Sequence, residues 1–197
     1  MNKSKMTNKL KNYINELIKV LDSLKKNKNS KIDKISKKLI DVCQSKNRKI
    51  LVCGNGGSAT DADHFVTELI IRFKNNSRKS IPAISLSSNS GLITAAGNDL
   101  GFENIFKRQL ESLANKNDCV ILISTSGNSR NLIEAAKFTK KKNIYTIGLL
   151  GSGGGKLLKY CNTSYVVPSK SVARIQEVHI FLLHFFCELI DNSLLKK

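Results

Sequence analysis

The spacing of apolar residues divides the chain into two parts. From Met6 to Leu24 the apolar residues recur at steps of three and four, which predicts an amphipathic helix of about five turns. A polar segment, 25–30, separates it from a second predicted helix whose apolar positions run from Ile32 to Cys43. Because a long helix ahead of the first strand has no sheet to cover, we expect the first helix to pack against another subunit.

After residue 46, short apolar runs alternate with helical segments. The runs predict five strands, at 49–53, 81–86, 119–123, 144–150 and 164–167. The segments between and after them predict helices at 57–73, 102–114, 132–142 and 172–194, with a short one ending at 97. Strands that alternate with helices imply a three-layer α/β fold of the flavodoxin-like type, with a doubly wound, parallel, five-stranded sheet and extra N-terminal helices. We expect a single domain over 1–197, in which 1–46 are the N-terminal helices and 47–197 the α/β core with its C-terminal helix.

The composition is typical of a globular protein. The chain has 197 residues, of which 41% are hydrophobic and 24% charged. No apolar run approaches the ~20 residues that a membrane helix needs, and the basic N-terminus lacks the apolar core of a secretory signal. The five cysteines form no C-x-x-C pair and fall on or near predicted strands and helices. They are therefore interpreted as buried, reduced thiols of a cytoplasmic protein.

The chain is strongly basic. Its formal net charge is +18, from 33 Lys and Arg against 15 Asp and Glu. A positive field of this size attracts anions, nucleic acid among them. The lysines, however, are scattered over predicted helix surfaces and loops, with small clusters at 25–26 and 140–142, and no aromatic residues are interleaved with them. We expect a solvated basic surface that attracts anionic substrates, without nucleic-acid binding.

The most informative stretch joins the first strand to the next helix. Its loop, Asn55-Gly56-Gly57-Ser58, lies where backbone N–H groups and the positive end of a helix dipole point at one spot, which suits a phosphate. It matches neither G-x-G-x-x-G nor the Gly-Lys-Ser/Thr loop of nucleoside triphosphatases. On the helix that follows, His64 and Glu68 are four residues apart and share a face. A phosphate-binding loop beside a paired imidazole and carboxylate predicts a catalytic site for a sugar phosphate.

Two further polar loops follow the second and third strands, at 87–90 and 124–129. Ligands of open parallel sheets bind at the carboxyl ends of the strands, so these loops are expected to meet the first one. Ser124, Thr125 and Ser126 precede a glycine, Ser129 stands at a helix start, and no cation occurs before Arg130. An ordinary serine-rich helix cap explains one or two of these hydroxyls, whereas phosphate binding explains all four.

The last helix carries two histidines among apolar residues. A lone histidine on an apolar helix is more often a core residue than a ligand, and this is the interpretation for His179. His184, between Leu183 and Phe185, has the same interpretation when only its neighbours are considered.

The motifs together resemble those of phosphoheptose isomerases, which have the sugar isomerase (SIS) fold. The resemblance rests on residues 54–59 with Asp61, His64 and Glu68, and on the segments 95–102, 124–129 and 174–179. It covers nearly the whole chain, from the N-terminal helices to the last helix.

The resemblance implies an aldose–ketose isomerase that converts sedoheptulose 7-phosphate to D-glycero-D-manno-heptose 7-phosphate through an enediol, as the first step of heptose nucleotide-sugar synthesis for lipopolysaccharide or capsule. The matching positions imply Glu68 and His184 as the catalytic pair. They also imply one zinc ion per subunit, with the ligands His64, Glu68, Gln176 and His184. The implied substrate contacts are Asn55, Gly56, Gly57, Ser58, Glu68, Asn98, Asp99, Ser124, Thr125, Ser126, Ser129 and Gln176. A cytoplasmic homotetramer with sites between subunits, and with neither nucleic acid nor membrane as partner, is also implied.

An alternative stays open at this point. The SIS fold includes non-catalytic members that sense sugar phosphates or bind the replication initiator, but such a protein is expected to have lost the site carboxylate or histidine, and both are present here. The zinc set also poses a geometric question. Gln176 and His184 are eight residues apart, about 12 Å along a straight helix, and glutamine is an unusual zinc ligand. Convergence on one ion requires long reaching side chains, a kink, or ligands from neighbouring chains.

Overall fold

Helices and strands alternate along the chain as the sequence pattern predicts, within residues 3–26 and 30–195, which this computed structural model describes. Two helices come first, α1 (Lys3–Lys26) and α2 (Ser30–Gln44). Of the predicted break 25–30 between them, 25–26 belong to α1 and 30 to α2, and the rest lies outside the described residues. The strands are β1 (Ile50–Gly54), β2 (Ala83–Ser85), β3 (Cys119–Ser124), β4 (Tyr145–Leu150) and β5 (Thr163–Val166). The remaining helices are α3 (Gly57–Ile70), α4 (Ser90–Leu100), α5 (Ile105–Leu113), α6 (Arg130–Lys141) and α7 (Val172–Leu195), with 3₁₀ turns at Phe102–Asn104 and Gly155–Lys159.

The strands form one parallel sheet in the order β2-β1-β3-β4-β5. In the register of the central strands, Ile50 of β1 lies opposite Cys119 of β3, which lies opposite Tyr145 of β4. The strand order reverses between β1 and β3, so the crevice at their carboxyl ends is the topological switch point of the sheet. The predicted doubly wound α/β fold is confirmed.

Successive residues of the central strands supply two separate cores. Ile50 and Val52 of β1 pack with α2, α3 and α7 on one face, whereas Leu51 and Cys53 pack with α4, α5 and α6 on the other. All four are fully buried. Because neighbouring residues of a strand point to opposite faces, a strand covered on both faces is expected to be almost continuously apolar, as β1 is, and as β3 is up to its last residue, Ser124.

Element ends differ from the predictions for local reasons. The predicted strand 81–86 shortens to β2 because Pro82 has no N–H to donate, although its carbonyl still accepts from Ile50. Helix α3 ends at Ile70, where the Arg78 guanidinium donates to the Leu69 carbonyl. The predicted helix 102–114 divides into a 3₁₀ turn and α5, and α4 runs to Leu100, where Gly101 follows with φ 84°.

The last helix is the central helix of one core. Val178, Leu182 and Phe186 of α7 are buried among side chains of α2, α3 and the sheet. Contrary to the expectation that no segment is apolar enough, α7 is the one helix in the described ranges that could cross a membrane by length and composition, with a mean hydropathy of 1.4. Since a core helix meets the same criteria, the absence of a membrane partner stays a prediction.

His179 and three of the five cysteines are buried as predicted. All five cysteines are free; Cys53, Cys119 and Cys187 are buried, and the other two are half-buried. His179 is fully buried, with Nε2 3.2 Å from the Leu150 carbonyl oxygen. Burial lowers the pKa of this imidazole to about 4, so His179 is a neutral core residue at physiological pH.

The first helix leaves much of its apolar stripe in solvent. Only its C-terminal part, with Val20, Leu21 and Leu24, packs against the core. The stripe before it is between 47% and 59% exposed, at Met6, Leu10, Tyr13, Ile14 and Ile18. An exposed stripe of this length is typical of a surface that contacts another protein.

Candidate functional site

The crevice between β1 and β3 is spanned by a pair of amides. Asn55 donates from Nδ2 to Oδ1 of Asn131 (3.0 Å), and Asn131 donates back to Oδ1 of Asn55 (2.8 Å). Asn131, in the first turn of α6, is almost completely buried. This reciprocal pair fixes the loop after β1 against the helix after β3, and so brings two of the predicted phosphate loops side by side.

The loop after β3 is held by its own hydroxyls. Ser124 Oγ accepts from the backbone N–H of Gly127 (3.0 Å), and Ser126 Oγ accepts from that of Asn128 (3.1 Å). Ser129 occupies the N-cap position of α6, but its side chain makes no capping hydrogen bond. The helix-cap alternative therefore does not account for Ser129, whose hydroxyl stands at the N-terminus of α6, where an anion is favoured.

A second glycine loop, which contains Gly154 and Gly155, packs against the loop 124–129. Gly127 has φ 64°, and a Cβ at this position would overlap the Gly154 carbonyl. Gly155 has φ 56°, and a Cβ there would lie 2.5 Å from the Ser126 carbonyl oxygen. The two loops approach so closely that neither glycine has room for a side chain. The shape of the loop 124–129 therefore depends on both loops.

Two helices bring the predicted catalytic groups together. His64 Nε2 on α3 lies 3.3 Å from Glu68 Oε1, one turn further along the same helix. The same nitrogen lies 3.1 Å from Nε2 of His184 on α7. The ring of His184 also stacks on Phe73, with centroids 5.6 Å apart. His64 thus stands between the predicted base and the predicted acid, and its side chain is 46% exposed.

The donor types at this point fit zinc in part. Within residues 3–26 and 30–195 no three His, Cys, Asp or Glu side chains form a ready-made metal cage. His64, Glu68 and His184 nevertheless present two imidazole nitrogens and a carboxylate oxygen, with pair distances of 3.1 and 3.3 Å. Ligands bound at about 2.0–2.1 Å in a tetrahedral site stand about 3.3 Å apart. With small side-chain adjustments, these three groups could occupy three of the four positions around a tetrahedral zinc ion.

Gln176 lies at a different level of the two helices. A Cβ on Gly57 would clash with the side-chain amide nitrogen of Gln176. Since Gly57 faces Gln176 and His64 faces His184, α3 and α7 run parallel in contact. Seven residues separate Gly57 from His64, about 10 Å along the helix axis. Gln176 thus covers the N-terminus of α3, beside the glycine loop, while the histidine pair lies two turns further on.

Asn98 and Asp99 lie apart from the other predicted contacts. They are exposed at the end of α4, where Asn98 Nδ2 donates to Asp99 Oδ1 (2.8 Å). Helix α4 packs on the face of the sheet opposite to α3 and α7. Asp99 and Arg108 of α5 line an open cavity of about 720 Å³ on that face.

Asp61 is half-buried on α3, one turn before His64. One of its carboxylate oxygens is buried and has no hydrogen-bond partner among the described residues. Burial raises the pKa of Asp61 to about 6, although the nearby His64 opposes this shift. A carboxyl group that titrates near neutral pH thus borders the site.

The structure connects two further residues to the site, Asn131 and Arg78, for which the sequence pattern predicts no role. Asn131 holds Asn55, and Arg78 donates to the backbone carbonyl oxygens of Glu68 and Leu69. The one local signal for Asn131 is its place two residues after the serine-rich loop 124–129. Arg78 gave none, because its contacts are to backbone atoms.

Comparison with known proteins gives a consistent answer. A family model of the SIS domain matches residues 12–151. The phosphoheptose isomerase of Campylobacter jejuni is 49% identical over 155 residues, which are 79% of this chain and 83% of that protein. That of Nitratiruptor is 52% identical over 146 residues, 74% and 78% of the two chains. The structure of phosphoheptose isomerase from Neisseria gonorrhoeae aligns with a TM-score of 0.86 and 34% identity, over 95% of this chain and 99% of that one. The chain belongs to the SIS-domain family and, within it, to the phosphoheptose isomerase group of sugar-phosphate isomerases.

Proposed function

We propose that this protein converts sedoheptulose 7-phosphate to D-glycero-D-manno-heptose 7-phosphate. The observation that carries the proposal is the meeting of Glu68, His64 and His184 on two parallel helices, below a glycine loop and a hydroxyl loop that suit a phosphate. The names of its relatives, which are phosphoheptose isomerases, support a seven-carbon substrate.

The proposed reaction moves the carbonyl from C2 to C1. The Glu68 carboxylate takes a proton from C1, and His184 donates a proton to the C2 oxygen, which gives the enediol. Return of a proton to C2 and loss of the O1 proton give the aldose. Each acid or base contributes roughly 10²–10⁴-fold to such a reaction. Glu68 is partly shielded, with 23% of its side chain exposed, so it can act as a base next to a bound sugar.

The length of the α3–α7 contact agrees with an extended sugar phosphate. About 10 Å separates the N-terminus of α3 from His64 along the helix axis. This distance is comparable with that from the phosphate to C1 of an extended seven-carbon chain. The phosphate would lie against the loops of 55–58 and 124–129, with Gln176 beside it, and C1 would lie next to Glu68.

Zinc is the metal that we propose for this site, with His64, Glu68 and His184 as ligands. Gln176, the fourth ligand that the resemblance implies, lies beside Gly57 in this chain, and we assign it to the phosphate end of the site instead. Bound zinc would supply a Lewis acid that polarises the substrate carbonyl. In this proposal His184, whose Nε2 faces His64, would be both a ligand of the zinc and the proton donor to the C2 oxygen.

We also propose that the enzyme is a homotetramer with sites between subunits. Phe181 and Phe185 of α7, which flank His184, are 50% and 39% exposed. The exposed stripe of α1 also contacts α7, where the Tyr13 ring stacks on the guanidinium of Arg174. An apolar surface thus borders the catalytic groups, and a neighbouring subunit that covers it would also shield the site from water. The proposal also places the enzyme in the cytoplasm, at the start of heptose synthesis for lipopolysaccharide or capsule.

The decisive experiment follows aldose formation from sedoheptulose 7-phosphate by NMR, with and without added zinc. We expect zinc-dependent turnover that falls by at least about 10²-fold in Glu68→Gln and in His184→Gln. Glu188→Gln is the matched control, because Glu188 lies one turn after His184 but pairs with Lys74 at the surface (2.8 Å). It should keep normal turnover.

Near-normal turnover of Glu68→Gln would contradict the proposed base. Absence of turnover with retained binding of the sugar phosphate would instead favour the non-catalytic, sugar-phosphate-binding alternative. A second measurement, the molar mass in solution by light scattering, tests the tetramer.

A further inference from the structure

A basic cleft lies at the edge of the sheet opposite to the candidate active site. Arg48 precedes β1, Lys116 precedes β3, and Tyr145 begins β4, so the cleft stands at the amino ends of the strands. The candidate active site stands at the carboxyl ends. Strand β4 has six residues, so about 20 Å of sheet separates the two edges.

Among the residues that the structure describes, five cations from five separate segments line this cleft, against a single carboxylate. They are Lys38, Arg48, Lys116, Lys140 and Lys159, and the carboxylate is Asp41. Asp41 is already engaged by Arg48 (2.8 Å) and, at 3.5 Å, by Lys38. Like charges gathered by the fold repel one another, and that repulsion is relieved when an anion binds among them.

Three of these cations, Lys38, Lys140 and Lys159, lie over aromatic rings. Lys38 Nζ lies 5.0 Å from the centre of the Tyr145 ring. The ammonium groups of Lys140 and Lys159 lie 5.6 and 5.2 Å from the centre of the Tyr160 ring, and Lys140 Nζ also donates to the Lys159 carbonyl oxygen (3.1 Å). A cation over an aromatic face loses part of its freedom but keeps donors for an anion.

The size of the cleft suits a small ligand. Its volume is about 660 Å³, within the range of roughly 300–1,000 Å³ that is usual for small-molecule sites. Lys38 and Arg48 are half-buried, with side chains 22% and 30% exposed, whereas Lys140 and Lys159 are exposed. A compact group with several negative charges is the ligand that suits a cleft of this size lined by these four cations.

We propose that this cleft binds a diphosphate group, either as inorganic pyrophosphate or as part of a nucleoside diphosphate. The phosphate oxygens accept from the ammonium groups of Lys140 and Lys159 on one side and from Lys38 and Arg48 on the other. The site is separate from the proposed isomerase site and does not rest on that function.

The test is a calorimetric titration of the full chain with pyrophosphate and, separately, with ADP, at physiological ionic strength. We expect binding of both if the diphosphate alone is recognised, and tighter binding of ADP if the source is a nucleotide. Lys140→Gln and Lys159→Gln should each weaken the affinity about tenfold, which corresponds to about 1.4 kcal/mol. Both variants should keep normal isomerase turnover and an unchanged unfolding temperature in the absence of ligand.

Lys137→Gln is the matched control. Lys137 lies one turn earlier on the same helix, but its ammonium is paired with Glu134 (2.7 Å). It removes the same charge and should leave the pyrophosphate affinity within about twofold, because the ammonium of Lys137 is already paired with the Glu134 carboxylate.

Three results would overturn the proposal. Equal weakening in Lys137→Gln would mean that the net charge alone attracts the anion. Binding that is lost in Ser126→Ala but kept in Lys140→Gln would place the pyrophosphate at the carboxyl edge of the sheet. Displacement of pyrophosphate by a short DNA duplex of higher affinity would make the cleft part of a nucleic-acid surface.

Discussion

The guanidinium of Arg78 and the carboxylate of Asp191 form an ion pair in which the side chains are only 1% and 4% exposed. The same guanidinium donates to the carbonyl oxygens of Glu68 and Leu69 at the end of α3. The other carboxylate oxygen of Asp191 accepts from the backbone N–H groups of Lys74 and Asn75. This pair therefore joins the helix that carries His64 and Glu68 to the helix that carries His184.

Removal of one partner should be costly for this pair. Asp191→Ala leaves a buried guanidinium without its counter-charge, so we expect the free energy of unfolding to fall by about 3–5 kcal/mol in urea titrations. Glu188→Ala, which breaks the exposed pair with Lys74 on the same helix, should cost at most about 1 kcal/mol. Equal losses in the two variants would mean that the buried pair contributes no more than a surface one.

The close approach of the two glycine loops predicts a strong effect of Gly127→Ala. The added Cβ meets the Gly154 carbonyl at a positive φ, so we expect a loss of at least about 2 kcal/mol of stability and a KM raised about tenfold. Gly153→Ala is the control, because its φ is also positive (83°) but no atom lies within 4 Å of its Cβ. It should lose only about 1–2 kcal/mol and keep its KM. A normal KM in Gly127→Ala would separate the loop from phosphate binding.

Gln176 allows its two predicted roles to be separated. Its amide lies against Gly57, about 10 Å along α3 from His64, so we expect Gln176→Ala to raise KM while the bound zinc measured by mass spectrometry stays near one per subunit. His64→Ala should lose the zinc. Loss of zinc in Gln176→Ala would instead show that the glutamine reaches the metal, from its own chain or from a neighbour.

Burial of His179 predicts a dependence of stability on pH. Its pKa is lowered to about 4 in the folded protein, below the ordinary value of about 6.5, so the unfolded chain binds the extra proton between these values. Stability should therefore be lost as the pH falls from about 6.5 to 4, by up to about 3 kcal/mol from this group. Urea titrations at several pH values check this. His179→Gln, which keeps a donor for the Leu150 carbonyl, should flatten this part of the profile, and an unchanged profile would contradict the assignment.

The order of elements could be predicted because it depends on local pattern. A strand covered on both faces is almost continuously apolar, and β1 and residues 119–123 of β3 show this without any tertiary information. The ends of elements depend on distant groups. Helix α3 stops at Ile70 beside Arg78, a contact across the segment that follows the helix, and the sequence pattern continued the helix to residue 73.

The sequence alone is enough to predict those parts of the site whose residues are close together along the chain. His64 and Glu68 face each other because residues four apart on a helix must do so, and the hydroxyl loop follows β3 because strand and loop are contiguous. The contact of His64 with His184, which is 120 residues further along the chain, is visible only in the folded protein. The same holds for the contact of Gln176 with Gly57. The tertiary structure also decided that lysines from distant segments share one cleft. The physical reason is that such contacts depend on how the helices pack on the sheet, which no local periodicity encodes.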